Sequence, residues 1–266
     1  TPNIKFIVGS QAANSWLTSQ LQQYSTNHDI VAIAPYLYAR DCPSNATWCP
    51  YGPHGGNRLS RFSNNEELFG PLFAEVQETS DASQIGKIYP GLGACTWCGY
   101  IAQQKRTIEQ SSRPNTELAF YEFNLHSEHG PLGANQAALL TLNPSLGAGL
   151  ATGATMLTTL KHLGIKNQAF FTFPQYSSWS SAGLSTYLWG LAHDYDYGQL
   201  VRPHYYALQL INEAVKYSLL PTTHSGDDPT WNQAWMNTVD PYDRAHHILS
   251  FAFKGTQEYS TVLFNL

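Results

Sequence analysis

Residues 117–126 read ELAFYEFNLH, a run of strand composition that carries one carboxylate, Glu122, near its end. A carboxylate among Leu, Phe and Tyr is costly to bury unless it is paired, hydrogen-bonded or put to chemical use. Two readings compete, the polar face of an edge strand and a reacting group. The residues that finish the other strand-like runs bear on the choice. Ser10 and Gln11 follow IKFIVG, Tyr36 and Tyr38 stand in DIVAIAPYLY, and Asn124 and His126 follow Glu122 itself. Gln175 and Tyr176 close NQAFFTFPQY, with Trp179 just beyond. One carboxylate with amides, hydroxyls and aromatic faces would line a site for a neutral polar ligand such as a sugar, the rings stacking on its apolar face.

These residues share one place only if the runs that carry them form one sheet. Strand-like runs at 4–10, 29–38, 117–123 and 167–176 alternate with helical patterns. In the first of these patterns Trp16, Leu17 and Leu21 fall at helical spacing; others cover about 65–80, 95–111, 145–163 and 202–215. Strands separated by helices predict βαβ units and a parallel sheet. In such sheets ligands bind beyond the carboxyl ends of the strands, where the residues named above would lie. A Gly/Pro/Asn-rich excursion spans 39–64, and loops of that length inside a compact domain are usually functional. Near residue 217 the pattern changes: HHILSFAFKG and EYSTVLFNL alternate in polarity around a short Gly-containing turn and predict an antiparallel hairpin.

Only 12% of the 266 residues are charged, 13% are aromatic, and the net charge is -5. No basic run exists for a phosphate backbone to engage, which argues against a nucleic-acid partner. No stretch approaches the length of a membrane span, and TPNIKFIVGS has none of the features of a signal peptide, so any export signal is expected to have been removed. The four cysteines stand as DCPSNATWC (Cys42, Cys49) and ACTWC (Cys95, Cys98). Spacing and surroundings favour disulfides over zinc, most simply Cys42 with Cys49 and Cys95 with Cys98, although four cysteines allow three pairings. Asn45 heads an Asn-Ala-Thr glycosylation sequon, which agrees with an oxidising, extracellular setting.

The succession VGSQAANSW, HDIVAIAPYLY, LAFYEFNLH, a long helix, QAFFTFPQY, RPHYYALQLINEA and a hairpin resembles the C-terminal half of clan A retaining glycoside hydrolases, the α-L-arabinofuranosidase and β-xylosidase-like groups above all. The resemblance implies an α/β fold. Residues 1–216 would be strands five to eight of a (β/α)8 barrel, and residues 217–266 the start of a β-sandwich. It also implies that Glu122, in FYEFN, is the catalytic nucleophile, oriented by Tyr36 or Tyr38 at the preceding strand end. Substrate contacts would come from Asn124, Gln175, Gln11, His126 and Trp179, the ligand would be a carbohydrate, and no cofactor would be required.

Such an enzyme needs a second carboxylate about 5 Å from the first to protonate the leaving oxygen. In the family this is the Glu of an Asn-Glu pair ending strand four, which would precede Thr1. The Asn-Glu pairs present, Asn65-Glu66 and Asn212-Glu213, fall in helical patterns, and Glu128 in HSEHG is the nearest alternative. The missing barrel half would come from the same polypeptide or from another copy. The alternative function is a non-catalytic extracellular carbohydrate-binding or self-assembling protein on the same scaffold. His126, Glu128 and His129 lack a further placed metal ligand, Asp194 and Asp196 lack the rest of a calcium loop, and GLGACTWCG lacks the Lys of a phosphate loop.

Overall fold

A computed structural model describes residues 4–37, 65–89, 93–95, 98–125, 144–173, 179–181, 184–186, 190–192, 201–233 and 242–266. The chain divides into two compact units. The first comprises residues 1–36, 77–124 and 158–171, and the second residues 37–76, 125–157 and 172–266.

The first unit is built on a four-stranded sheet of β1 (Ile7–Gly9), β2 (Ile30–Ile33), β5 (Glu117–Phe123) and β6 (Gln168–Phe170), in that order. All three pairings are parallel, with Ile7 opposite Ile30 and Ile30 opposite Glu117. The central β2, Ile-Val-Ala-Ile, is buried along its whole length, as expected of a β-branched run covered on both faces. Helix α1 (Ser15–Tyr24) connects β1 to β2, and α3 (Tyr100–Glu109) precedes β5. Between β2 and α3 the chain forms α2 (Asn65–Glu78) and the short paired strands β3 (Ile88–Tyr89) and β4 (Gly93–Ala94).

The packing of α1 departs from its apolar pattern. Trp16 is exposed, and the residues buried on this helix are Thr18 and Gln22. They tolerate burial because each is hydrogen-bonded, Thr18 to Ser10 and Gln104, and Gln22 to His28, Ser111 and Thr116. The amino end of the sheet is clamped by Arg113, which donates to the main-chain oxygens of Ser25 and His28 and reaches the buried His28 ring. Desolvation first, and then the Arg113 charge, hold the His28 imidazole below its ordinary range.

In the second unit, antiparallel strands form a three-stranded sheet, β13 (Tyr259–Asn265), β12 (Ile248–Lys254) and β9 (Ser218–Leu220), and a separate pair, β10 (Thr230–Gln233) with β11 (Tyr242–His246). The expected hairpin is β12–β13, in register from Ile248 opposite Asn265 to Lys254 opposite Tyr259. Phe251, Phe253 and Phe264 are buried, and the rings of Phe251 and Phe264 meet edge to face. Helix α4 (Leu146–Leu163) brings Gly149 against the backbone of Pro203 and His204, at the start of α5 (Pro203–Ala214). A further antiparallel pair is β7 (Trp179–Ser181) with β8 (Leu184–Thr186).

The parallel pairing expected from alternating strands and helices is present, but among the described residues the expected partial barrel and sandwich are not. The described parallel strands form an open sheet. Its outer members β1 and β6 are three residues each and are not fully buried. The antiparallel strands make small sheets of two and three strands, so the described chain is a mixed α/β structure. The reason is physical. Alternation dictates parallel neighbours, whereas closure depends on strand number, tilt and shear, none of which the alternation encodes.

Candidate functional site

Two local irregularities bring Tyr36 and Glu122 together at the carboxyl end of the sheet. On β2 the regular pairing stops at Ile33, and Pro35, lacking an N–H, cannot extend it. The Tyr36 N–H turns back to the Ala34 carbonyl at 3.1 Å. On β5, Phe120 stands opposite Gln168 and Phe123 opposite Phe170, so three steps along β5 match two along β6. The resulting bulge contains Tyr121 and Glu122, and bulges of this kind re-aim side chains. The Tyr36 hydroxyl donates to Glu122 Oε1, and both residues are half-buried. A hydrogen bond to a charged oxygen fixes the orientation of the carboxylate.

A buried polar lattice supports the neighbouring β1 end. Ser10 Oγ meets Thr18 Oγ1 at 2.7 Å, and Thr18 Oγ1 donates to Gln104 Oε1. Gln104 Nε2 donates to the carbonyls of Gln11 and Ala12 at 2.9 and 2.6 Å. From the first residue of α3, the Tyr100 hydroxyl donates to the Tyr36 main-chain oxygen at 3.2 Å. Tyr36 is therefore held at its backbone by one tyrosine while its own phenol holds Glu122. Nothing in the local sequence singles out Tyr100, because its hydroxyl meets Tyr36 only through the packing of α3 on the sheet.

The other residues expected at the site have varied placements. Asn124 is buried, and its amide Nδ2 donates to the Phe171 carbonyl, tying the end of β5 to the end of β6. The Gln11 side chain is exposed and accepts from Asn14 at 3.4 Å, so its contribution to the lattice is its carbonyl. Trp179 opens β7 in the second unit. Tyr38, Gln175, His126, Asn45, Cys42, Cys49 and Glu128 lie outside the described residues. Cys95 and Cys98 form the expected disulfide.

The remaining carboxylates of the first unit are engaged elsewhere. Asp29 accepts from the Phe6 N–H, Glu78 from Gly99, and Asp81 from Ser83, while Glu109 pairs with Lys105 and Glu117 with Lys5. Asn65 and Glu66 begin α2, and Asn212 and Glu213 lie in the last turn of α5. Among the described residues no cluster of His, Cys, Asp and Glu could hold a metal ion, and no helix is long and apolar enough to cross a membrane. No protein-family model matches this chain, and no curated protein matches it.

Proposed function

We propose that Glu122 is the nucleophile of a secreted retaining glycoside hydrolase and that Tyr36 orients it. The hydrogen bond from the Tyr36 phenol to Glu122 Oε1, beside a bulge at the carboxyl end of a parallel sheet, is the observation that carries this reading. In the reaction a Glu122 oxygen attacks the anomeric carbon as the glycosidic bond breaks, and the departing oxygen takes a proton from an acid. Water, deprotonated by the conjugate base of that acid, then releases the sugar and regenerates the carboxylate. The acid/base is a carboxyl group other than Asp29, Glu78, Asp81, Glu109 and Glu117, which have other partners. The Cys95–Cys98 disulfide supports an oxidising compartment and hence secretion.

The same engagement of the other carboxylates favours one second reading, a carbohydrate-binding protein without turnover. Both readings meet in one experiment on the complete protein, in which wild type, Glu122→Gln and Tyr36→Phe are assayed on a panel of aryl glycosides with parallel binding measurements. The enzyme reading predicts turnover that Glu122→Gln lowers by at least about a thousandfold and Tyr36→Phe by about ten- to a hundredfold. Binding without turnover in the wild type would establish the second reading, and unchanged turnover in Glu122→Gln would remove this carboxylate from the chemistry.

A further inference from the structure

The residues around Tyr100 hold it more tightly than a helix start requires. The preceding Gly99 adopts φ +60°, and a Cβ there would stand 2.7 Å from the Asp81 carbonyl oxygen, so only glycine fits without displacing main chain. The Gly99 N–H donates at 2.9 Å to Glu78 Oε1, a carboxylate that is itself buried. One residue further back, Cys98 is buried and covalently joined to Cys95. Glycine conformation, a carboxylate cap and a disulfide thus converge on the residue whose hydroxyl holds the Tyr36 carbonyl. Tyr100 is itself buried, and Ile101 and Ala102 in the same turn donate to the Thr79 carbonyl at 3.1 Å, which locks the first turn of α3 to the residue that follows α2.

We propose that Tyr100 is a positioning residue for the Tyr36–Glu122 pair, and that the Cys95–Cys98 disulfide sets its place. This deepens the glycosidase reading and rests on it for its catalytic consequence, but the positioning itself has a separate readout. The Tyr100 hydroxyl reaches the Tyr36 main-chain oxygen at 3.2 Å. It acts by fixing the Tyr36 main chain, from which the phenol reaches the carboxylate. The disulfide belongs to the same device because its loss frees the segment directly before Gly99 and lets the first turn of α3 shift.

The test compares wild type, Tyr100→Phe and the double variant Cys95→Ser/Cys98→Ser, each labelled with [13Cζ]tyrosine, with the Tyr36 resonance identified by its loss in Tyr36→Phe. Glu122→Gln provides the shift that follows loss of the charged acceptor. The expected result is that the Tyr36 resonance moves in Tyr100→Phe and in the cysteine variant toward its position in Glu122→Gln, with folding verified by circular dichroism. Turnover should show a kcat lowered about three- to tenfold in Tyr100→Phe with KM unchanged, the effect of one neutral hydrogen bond. Adding the cysteine changes to Tyr100→Phe should lower kcat by less than the product of the separate effects, since both act through one contact. A Tyr36 resonance unmoved in both folded variants would overturn the proposal. If the resonance moves while Glu122→Gln turns over like wild type, the positioning stands and the glycosidase reading falls.

Discussion

Lowering the pH from 7 to 5 should cost the second unit about 2 kcal/mol through one residue, His204. Its side chain is buried at the start of α5, immediately after Pro203. Desolvation, and secondarily the Arg202 charge, lower its pKa from 6.5 to about 4. The helix amino terminus it occupies is also unfavourable to a cation. In the unfolded chain the imidazole titrates near its ordinary value, so as the pH falls below 6.5 the unfolded state takes up a proton that the folded state refuses. Stability from this group is therefore complete above 6.5, declines as the pH falls, and levels off below about 4. A difference of about 2.5 units corresponds to about 3 kcal/mol in full, of which about 2 kcal/mol is lost by pH 5. Urea unfolding of wild type and His204→Gln between pH 7.5 and 4.5 isolates the contribution of His204, because titrations common to both proteins cancel. The two stabilities should converge toward acid pH by this amount. Parallel pH profiles would refute the assignment of the buried neutral imidazole.

Two further perturbations test packing within each unit. Arg113→Met leaves the Ser25 and His28 carbonyls without their guanidinium donor and should cost about 2–4 kcal/mol in urea unfolding at pH 7; a cost below 0.5 kcal/mol would mean that the clamp is not structural. Gly149→Ala places a Cβ 2.8 Å from the Pro203 carbonyl carbon and should cost about 1–3 kcal/mol, readable as a lowered Tm; a neutral substitution would show that α4 and α5 approach less closely there.

Some of this architecture was legible in the residues because it follows from local pattern. Val31 and its neighbours form a continuously apolar β-branched run and make a fully buried strand, and alternating apolar residues on either side of Gly255 make the β12–β13 hairpin. Glu122 was conspicuous because its charge interrupts such a run, and Tyr36 because it finishes the neighbouring one. Closure of the sheet was misread, since strand and helix alternation is the same for open and closed parallel sheets. The buried face of α1 was also hidden: apolar spacing points to Trp16, whereas Thr18 and Gln22 are buried through hydrogen bonds to partners far away in sequence. For the same reason neither the bulge at Glu122 nor the contact of Tyr100 with the Tyr36 carbonyl could be read from their own segments. Both depend on register and packing between elements.

The central claim is that a Glu122 oxygen becomes bonded to a sugar. The most direct measurement incubates the complete protein with a panel of 2-deoxy-2-fluoroglycosyl fluorides, which leave a slowly hydrolysed glycosyl ester on a carboxylate nucleophile, followed by intact-mass and peptide mass spectrometry. The account predicts a one-to-one adduct on Glu122, within the peptide that contains ELAFYEFNLH, and none in Glu122→Gln. An adduct on another carboxylate, or turnover of the matching natural glycoside with wild-type efficiency by Glu122→Gln, would contradict it.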